Sequence, residues 1–258
     1  MQKVSVITVC FNAIDTIEET ILSVLGQKYE NKEYIIIDGG STDGTLDIIR
    51  KYSDSLYYWV SEKDKGIYDA MNKGIAIATG DWINFMNAGD CFCSCNTLSD
   101  VFSVNDYEGL DVIYGNSILK DKNGVLKKYL SDYRVQLLQY ISIYRHGASF
   151  VRASTHKLYP FDLSKKQLSY ALDSYCIHSM YVDGKVFKKI NEDILIYSED
   201  GISNHHFRNL YYNFIIALET KQYPKIISFY SCLIIKELLC RVKNSAAKLI
   251  QSILNLNR

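Results

Sequence analysis

Polar residues follow four apolar segments in the first part of the chain, and their types suit the binding of a phosphorylated ligand. The four positions are Asn12, Asp38, the Glu62–Asp64 region and Asp90. Carboxylate and amide oxygens bind hydroxyl and N–H groups, and they are the ligands that hard divalent cations prefer. This recurrence of oxygen-bearing side chains predicts one polar ligand site.

The phosphates of such a ligand would need a cation, because both common phosphate-binding loops are absent from the sequence. The connection Phe11–Asp15 contains no glycine, and no glycine-rich loop ends in Lys-Ser or Lys-Thr. A divalent ion held by carboxylates and by the phosphates themselves is the usual alternative. Asp90, in the turn Asn87-Ala88-Gly89-Asp90, is the candidate ligand for Mn²⁺ or Mg²⁺. Taken alone, the same turn is more often purely structural.

Composition narrows the class of protein. The chain has 258 residues, of which 48% are hydrophobic, and this suits one α/β domain or one such domain with an extension. Lys and Arg together number 29, as do Asp and Glu, and this balance argues against a nucleic-acid binder. The seven cysteines are odd in number and irregularly spaced, and the N-terminal apolar run predicts a strand and a turn rather than the apolar core of a signal peptide. We therefore expect a reducing, cytoplasmic setting.

Alternating strands and helices would position the polar residues. The apolar runs predict four strands, at Lys3–Asn12, Glu33–Asp38, Leu56–Val60 and Trp82–Met86. Helices are predicted between them, from Asp15 to Gly26, from Gly44 to Tyr52 and from Tyr68 to Ala78. Short βα connections favour a parallel sheet with helices on both faces, and ligands bind such sheets at the carboxyl ends of the strands.

The second half of the chain is less regular. Further strands are predicted at Asp111–Leu119, Lys127–Leu130, Ser149–Arg152 and Lys185–Ile190. A helix is predicted over Leu168–Met180, and the chain from Phe207 onward is predicted to be helical with a break near Pro224.

Four blocks of the first half resemble the nucleotide-sugar half of family 2 glycosyltransferases. They are Val4–Asn12, Tyr34–Thr45, Ser61–Gly74 and Thr79–Asp90, and they occur in the family's order. The resemblance implies the GT-A fold, a Rossmann-like, mostly parallel sheet with flanking helices, over residues 1–205. Residues 1–95 would bind the nucleotide-sugar, residues 96–205 would face the acceptor, and residues 206–258 would form a C-terminal helical extension.

The same resemblance implies roles for residues of the donor half. Thr8, Phe11 and Asn12 would lie near the nucleoside, Asp38 would contact a pyrimidine base, and Asp64 would hold the base or the ribose. The other donor-side positions are Asp69, Asn72, Lys73, Asn87, Ala88, Gly89 and Asp90. Asp90 matches the last acid of the family's metal motif, but Asn87 and Gly89 stand where further acids are common. A single acid implies weak metal binding without the donor's diphosphate.

Asp173 is the candidate general base. Inverting transferases need a carboxylate that takes the proton of the attacking hydroxyl, and in this family an acid that opens a helix does so. The alternative for Asp173 is a helix-start acid favoured by the helix dipole. His146 and Gly147 resemble segments that line the acceptor side, or they form a turn before a strand. Gly201-Ile202-Ser203 resembles a loop that follows the catalytic helix.

These features together imply an inverting transferase that moves a hexose or N-acetylhexosamine from a UDP-sugar to a lipid-linked or oligosaccharide acceptor. Enzymes of this size in the family often build bacterial surface polysaccharides such as O-antigen or capsule. Because the turn Asn87–Asp90 has only one acid, a second hypothesis stays open, a nucleotide-sugar-binding or scaffold protein without catalysis. A nucleotidyltransferase would require a glycine- and Arg/Lys-rich phosphate loop, which the sequence lacks.

The C-terminal segment from Arg208 is basic and rich in aromatic residues. It holds eight basic residues against two acidic ones. This pattern is typical of helices that lie on an anionic membrane surface, and packing on the domain or at a dimer contact is the alternative. We expect a peripheral location at the inner face of the cell membrane.

Overall fold

The computed structural model describes residues 1–103, 107–198 and 206–235. The strands are β1 (Val4–Cys10), β2 (Lys32–Asp38), β3 (Tyr58–Ser61), β4 (Trp82–Phe85), β5 (Cys91–Phe92), β6 (Val112–Lys120), β7 (Leu126–Tyr129), β8 (Ser149–Arg152) and β9 (Phe187–Ser198). The helices are α1 (Ile17–Leu25), α2 (Thr45–Lys51), α3 (Ile67–Ile77), α4 (Thr97–Phe102), α5 (Ala153–Leu158), α6 (Leu172–Val182) and α7 (His206–Leu218).

The first four strands form the parallel half of the sheet, in the order β3-β2-β1-β4. Every residue of β1 is buried, because helices cover both faces. Ile7 and Val9 pack on the side that carries α3, whereas Val4 and Val6 pack on the side that carries α1. The β-branched run therefore forms a central strand, and the predicted alternation of strands and helices is confirmed.

The second half makes the sheet mixed. Strand β8 is antiparallel to β4 and to β6, β9 is parallel to β6, and β5 is antiparallel to β9. The full order is β3-β2-β1-β4-β8-β6-β9-β5, with β7 paired to β6 outside this path. The sheet with flanking helices is the predicted fold class, and its continuous parallel part is confined to β1–β4. Strand β9 runs on to Ser198, beyond the predicted end at Ile190.

The C-terminal helices pack on one another through a small apolar cluster. Ala217 of α7 contacts Ile226 and Tyr230 of the helical segment 223–235. Within the described residues, no helix is long and apolar enough to cross a membrane. The predicted boundary at residue 205, the Gly201–Ser203 loop and the tail from residue 236 lie outside the described residues.

Candidate active site

Asp38 organises the loop that follows β2. Its carboxylate is fully buried and accepts hydrogen bonds from the Gly40 amide (3.0 Å), the Ser41 amide (2.9 Å) and the Ser61 hydroxyl (2.6 Å). Burial by itself would raise the pKa of Asp38, but the hydrogen bonds from Ser41, Ser61 and Gly40 outweigh burial and lower it. The ionised carboxylate therefore fixes Gly39–Ser41 at the carboxyl end of the sheet. Its hydrogen bonds lie within the protein and shape this loop.

Asn12 ties the loop after β1 to the loop after β2. Its backbone has a φ of 47°, in the left-handed region, which asparagine adopts more readily than most residues. Its amide donates to the Ser41 hydroxyl (2.7 Å), and its side-chain oxygen accepts from the Thr42 amide (2.9 Å). Phe11 beside it is 63% exposed. An exposed aromatic ring next to a rigid polar loop is a suitable platform for a nucleobase.

Asp64 lies against Gly39, so the ends of β2 and β3 meet. A Cβ at position 39 would stand 2.6 Å from Asp64 Oδ2, and only glycine leaves room for this carboxylate. Asp64 Oδ1 accepts from the Gly66 amide (2.8 Å) at the start of α3. Asp64 is partly exposed at this edge of the sheet.

Two predicted donor-binding residues have their polar groups engaged within the protein. The Thr8 hydroxyl is fully buried and contacts the Tyr34 hydroxyl (2.8 Å) and the Met86 carbonyl oxygen (2.6 Å). The Asn72 side chain donates to the Phe161 carbonyl oxygen and accepts from the Phe161 amide, both at 2.9 Å. The Thr8 hydroxyl therefore faces the protein interior and not the carboxyl edge of the sheet. The Asn72 side chain links α3 to the second half of the chain.

Asp69 and Lys73 lie on the partly exposed face of α3. Lys73 Nζ pairs with Glu62 at 2.7 Å and lies 3.8 Å from Asp69. The hydrogen bond to Glu62 raises the pKa of Lys73, so the ammonium is charged at neutral pH. Asp69 accepts from the Lys65 amide (3.1 Å) and thereby fixes the start of α3.

The turn from Asn87 to Asp90 is anchored on α1. The Thr20 hydroxyl donates to the Asp90 carbonyl oxygen (2.8 Å) and accepts from the Gly89 amide (3.0 Å). Gly89 has a φ of 95°, which a residue with a side chain adopts only under strain. The turn, including Ala88, lies beside the end of β1, because the Ala88 amide donates to the Val9 carbonyl oxygen.

The Asp90 carboxylate is largely buried, in surroundings that disfavour its negative charge. Burial raises its pKa to about 7, and the Arg145 guanidinium opposes this rise. None of the described residues donates a hydrogen bond to this carboxylate, and the Asn87 side-chain oxygen is buried without a partner in the described part of the chain. A divalent cation shared with a diphosphate would satisfy both oxygens. The two residues fit such a cation, although residues 1–103, 107–198 and 206–235 hold no cluster of three metal-binding side chains.

Asp173 opens α6 and faces the donor half. Its carboxylate accepts a hydrogen bond from the Tyr68 hydroxyl of α3, over 3.2 Å. Burial raises the pKa of Asp173, while the Ser174 amide, the Tyr68 hydroxyl and the charge of Arg145 pull it back. A desolvated carboxylate with a raised pKa is a stronger base than one in water, which suits proton abstraction.

His146 and Gly147 lie where β4 ends. The His146 ring stacks on Phe85 with centroids 5.1 Å apart, and burial lowers the pKa of His146 to about 4. The Gly147 carbonyl oxygen accepts from Asn84 (3.0 Å), and a Cβ at this glycine would stand 3.1 Å from the Phe85 carbonyl oxygen. A neutral imidazole can exchange hydrogen bonds with a ligand but cannot act as a cation.

Arg145 and Tyr68 also belong to this candidate site, although neither is among the residues predicted from the sequence. Arg145 lies 4.5 Å over the Tyr197 ring of β9, and its charge acts on both Asp90 and Asp173. A sequence signal for Arg145 exists in hindsight, since it directly precedes the His146-Gly147 segment. Tyr68 gave no such signal, because its apolar ring fits the buried face of α3.

A parallel sheet half that carries acids at its carboxyl edge, continued by a mixed half that supplies a buried carboxylate, is the architecture of GT-A glycosyltransferases. The model of Glycosyl transferase family 2 matches residues 5–168, which is more than half of the chain. The chain belongs to this family.

Curated relatives match parts of the chain. An uncharacterised glycosyltransferase of Mycobacterium tuberculosis is 46% identical over 90 residues, 34% of each chain. A PGL/p-HBAD biosynthesis glycosyltransferase of Mycobacterium bovis is 33% identical over 123 residues, 46% of this chain and 48% of the relative. A poly-β-1,6-N-acetyl-D-glucosamine synthase of Staphylococcus aureus is 28% identical over 145 residues, 55% of this chain and 34% of the synthase. The matched regions thus span a third to a half of these relatives.

Solved structures share the fold. S. aureus TarS 1–349 in complex with UDP-GlcNAc has a TM-score of 0.66 at 20% identity, over 84% of this chain and 66% of TarS. The mannosyltransferase PcManGT from Pyrobaculum calidifontis, in complex with GDP-Man and Mn²⁺, has a TM-score of 0.65 at 18% identity, over 84% of this chain and 64% of PcManGT. At these identities the likeness establishes the fold alone.

Proposed function

We propose that the protein is an inverting glycosyltransferase that moves a hexose or N-acetylhexosamine from a UDP-sugar to an acceptor hydroxyl. One observation carries the proposal: Arg145 lies over the Tyr197 ring, one ladder position beyond the Cys91–Ile196 pair, and its charge lowers the pKa of both Asp90 of the donor half and Asp173 of the acceptor half. Asp90, a buried carboxylate suited to binding a cation, and Asp173, a candidate base with a raised pKa, therefore belong to one site. Transfer from an activated sugar needs these two functions side by side.

The donor would lie along the carboxyl edge of the parallel strands. The base would rest on the Gly39–Ser41 loop near Phe11, with Asp64 holding the base or the ribose. The diphosphate would then extend to Asp90. Uridine is our choice of base, supported by the UDP-GlcNAc complex of TarS, whereas the GDP-Man complex of PcManGT makes GDP-sugars the alternative.

Asp173 would take the proton of the acceptor hydroxyl while that oxygen attacks the anomeric carbon. The bond from this carbon to the phosphate oxygen breaks on the opposite face, so an α-linked donor gives a β-linked product. The bond from Tyr68 holds the carboxylate in place. Mn²⁺ or Mg²⁺, when bound at Asp90 and Asn87, would supply positive charge to the departing UDP.

A lipid-linked or oligosaccharide acceptor would suit the C-terminal helices. Ile227, Ile234 and Ile235 are each about half exposed on the segment 223–235, whose chain continuation is basic. Exposed isoleucines with nearby lysines favour contact with an anionic membrane surface. Two relatives are named a PGL/p-HBAD biosynthesis glycosyltransferase and a poly-β-1,6-N-acetyl-D-glucosamine synthase, and the second name supports a role in bacterial surface glycans. We place this role at the inner face of the membrane.

A second function is favoured by the acid-poor turn. Asn87 and Gly89 leave Asp90 as the only acid of this tetrapeptide. A protein that binds nucleotide-sugars without transferring them would tolerate this loss. This second hypothesis predicts that the protein binds a UDP-sugar but does not release UDP from it.

A thermal-shift screen tests the proposed function. UDP, UDP-GlcNAc, UDP-glucose, UDP-galactose and GDP-mannose are each tested with Mn²⁺ and with EDTA. We expect a UDP-sugar to raise the melting temperature, more so with Mn²⁺, and Asp90→Asn to remove the Mn²⁺ increment. The control is Asp47→Asn, whose carboxylate pairs with Arg50 on the surface of α2. The absence of any shift with every nucleotide would refute the proposal.

A further inference from the structure

Helix α6 begins without the local features that usually fix the start of a helix. Its N-cap is Ala171, which gives no side-chain hydrogen bond to the first turn. Just before it, Ser169 has a φ of 47°, in the left-handed region, so the chain enters the helix irregularly. Asp173 lies in the first turn of α6, and its position therefore depends on contacts with other parts of the chain.

Ser174 connects the candidate base to such a contact. Its amide donates to the Asp173 carboxylate and lowers the pKa of this group. Its hydroxyl accepts a hydrogen bond from the Ser142 hydroxyl, over 2.9 Å. Ser174 is thus bonded both to the carboxylate and to the segment that precedes β8, so a displacement of Ser142 would move the groups that orient Asp173.

Asn213 of α7 in turn fixes Ser142. Its side-chain oxygen accepts from the Ser142 amide (3.2 Å) and lies 3.3 Å from the Ser142 hydroxyl. Its side-chain nitrogen donates to the Asn209 carbonyl oxygen of the same helix, at 2.8 Å. This second bond sets the orientation of the Asn213 amide group, so its oxygen is held toward Ser142.

The junction of α6 and α7 is not closely packed at this point. A small cavity lies there, and Ile177 of α6 and Ile216 of α7 line it together with Ser142, Ser174 and Asn213. Atoms that border a cavity lack packing contacts on that side. The hydrogen bonds of the three polar residues therefore have a large share in aligning the two helices.

We propose that Asn213 is a positioning residue for the base, and that it acts through Ser142 and Ser174 to orient the Asp173 carboxylate toward the acceptor hydroxyl. This inference rests on the proposed function, since it takes Asp173 as the base of the transfer. A carboxylate turned away from the attacking oxygen would accept its proton more slowly, whereas the donor would bind as before. The C-terminal helix α7 thereby takes part in the reaction.

Steady-state release of UDP by the full chain tests this role, with Mn²⁺ and the UDP-sugar that stabilises the protein most. We expect Asn213→Leu to lower kcat by roughly tenfold and to leave the donor KM and the UDP affinity within about twofold of the wild-type values. The acid limb of the kcat profile should move to higher pH, because loss of the Ser174 amide bond raises the pKa of Asp173. Ser142→Ala should have the same effects, and the two changes should not add.

The other groups that act on the charge of Asp173 keep their side chains in these variants. They include Tyr68 of α3, Cys176 of α6, and Tyr144 and Arg145 of the segment before β8. A shift of the acid limb would therefore report a change in how Asp173 is held.

Matched variants separate this role from a general loss of α7 packing. Glu219→Gln removes another contact of α7, the pair with Lys165 at 2.6 Å, and it should keep the wild-type kcat and acid limb. Ser142→Thr keeps the hydroxyl and should retain more turnover than Ser142→Ala. Ser142→Ala is the deciding variant if Asn213→Leu lowers the melting temperature.

Three results would contradict the inference. A wild-type kcat and acid limb in both Asn213→Leu and Ser142→Ala would overturn it and leave the proposed function standing. A loss of UDP affinity as large as the loss of kcat would mean a structural role for Asn213, and would overturn it in the same way. A wild-type protein that releases no UDP from any UDP-sugar would overturn both.

Discussion

The Tyr68 hydroxyl donates a hydrogen bond to the Asp173 carboxylate over 3.2 Å, and the two residues are 105 positions apart in the sequence. Tyr68 belongs to α3, which packs on the donor half, whereas Asp173 opens α6 of the second half. The candidate base is thus positioned by a helix that also borders the donor edge. This contact couples the placement of the base to the folding of the nucleotide-binding half.

Tyr68→Phe should shift the pH dependence of turnover. The Tyr68 bond stabilises the ionised carboxylate and lowers the pKa of Asp173, so its loss raises that pKa further. The ionised base then disappears at a higher pH, and the acid limb of the kcat/KM profile moves upward in pH. Tyr52→Phe is the matched control, because the Tyr52 hydroxyl donates to a surface carboxylate, Glu18, at 2.7 Å. An acid limb that stays in place in Tyr68→Phe would contradict this account of Asp173.

Gly39→Ala should weaken donor binding without unfolding the protein. The added Cβ would stand 2.6 Å from Asp64 Oδ2, and the end of this side chain can move aside at small cost. Displacing a hydrogen-bonding carboxylate should raise the donor KM by roughly tenfold, with little change in melting temperature.

A double-mutant cycle with Asp64→Ala gives the control for Gly39→Ala. Both changes remove the same contact, so their effects on donor KM should not add. A wild-type donor KM in Asp64→Ala would contradict a contact between Asp64 and the donor. Additive effects, or a wild-type KM in Gly39→Ala, would mean that Gly39→Ala does not displace Asp64 from the donor.

His156→Phe should make the fold less sensitive to acid. His156 is 1% exposed, and burial lowers its pKa from 6.5 to about 4. Between these values the unfolded chain binds a proton that the folded protein does not, so the contribution of His156 is complete above pH 6.5 and is lost as the pH falls toward 4. Phenylalanine retains the ring contacts with Phe85 and Phe161 and removes this titration.

Urea unfolding at neutral and acidic pH measures this effect. The wild-type protein should lose about 1–2 kcal/mol more unfolding free energy between pH 7 and pH 5 than His156→Phe does. His146, whose pKa is also lowered to about 4, should keep part of the acid sensitivity in the variant. The same pH dependence in both proteins would mean that His156 does not remain neutral in the fold.

The parallel half could be predicted from the sequence because its signals are local. Val4–Cys10 and Lys32–Asp38 are apolar, β-branched runs that end in polar residues, and short connections leave few ways to arrange them. The polar edge with Asp38 and Asp64 followed from that arrangement. The family match confirms the predicted class of protein.

The rest of the site depends on contacts between residues far apart in the chain. The Asn72 side chain looked like a donor contact, yet it bonds the backbone of Phe161, 89 positions away. Strand β9 was predicted too short, because Asn191–Asp193 interrupts its apolar pattern where its register with β6 shifts. Arg145 comes to lie near Asp90 only because β5 pairs with β9, and no local sequence pattern predicts that pairing.

The central claim is that Asp173 is the base of a sugar transfer from a UDP-sugar, and release of UDP tests it most directly. The rate is measured with Mn²⁺ and the UDP-sugar that stabilises the protein most, for the wild-type protein, Asp173→Asn and Asp183→Asn. Asp183, at the other end of α6, also accepts a tyrosine hydrogen bond, from Tyr159 at 2.9 Å, and is the matched control. We predict that Asp173→Asn binds UDP normally but releases it from the donor at least about 100-fold more slowly, whereas Asp183→Asn is unchanged. An Asp173→Asn protein that releases UDP at the wild-type rate would contradict the assignment.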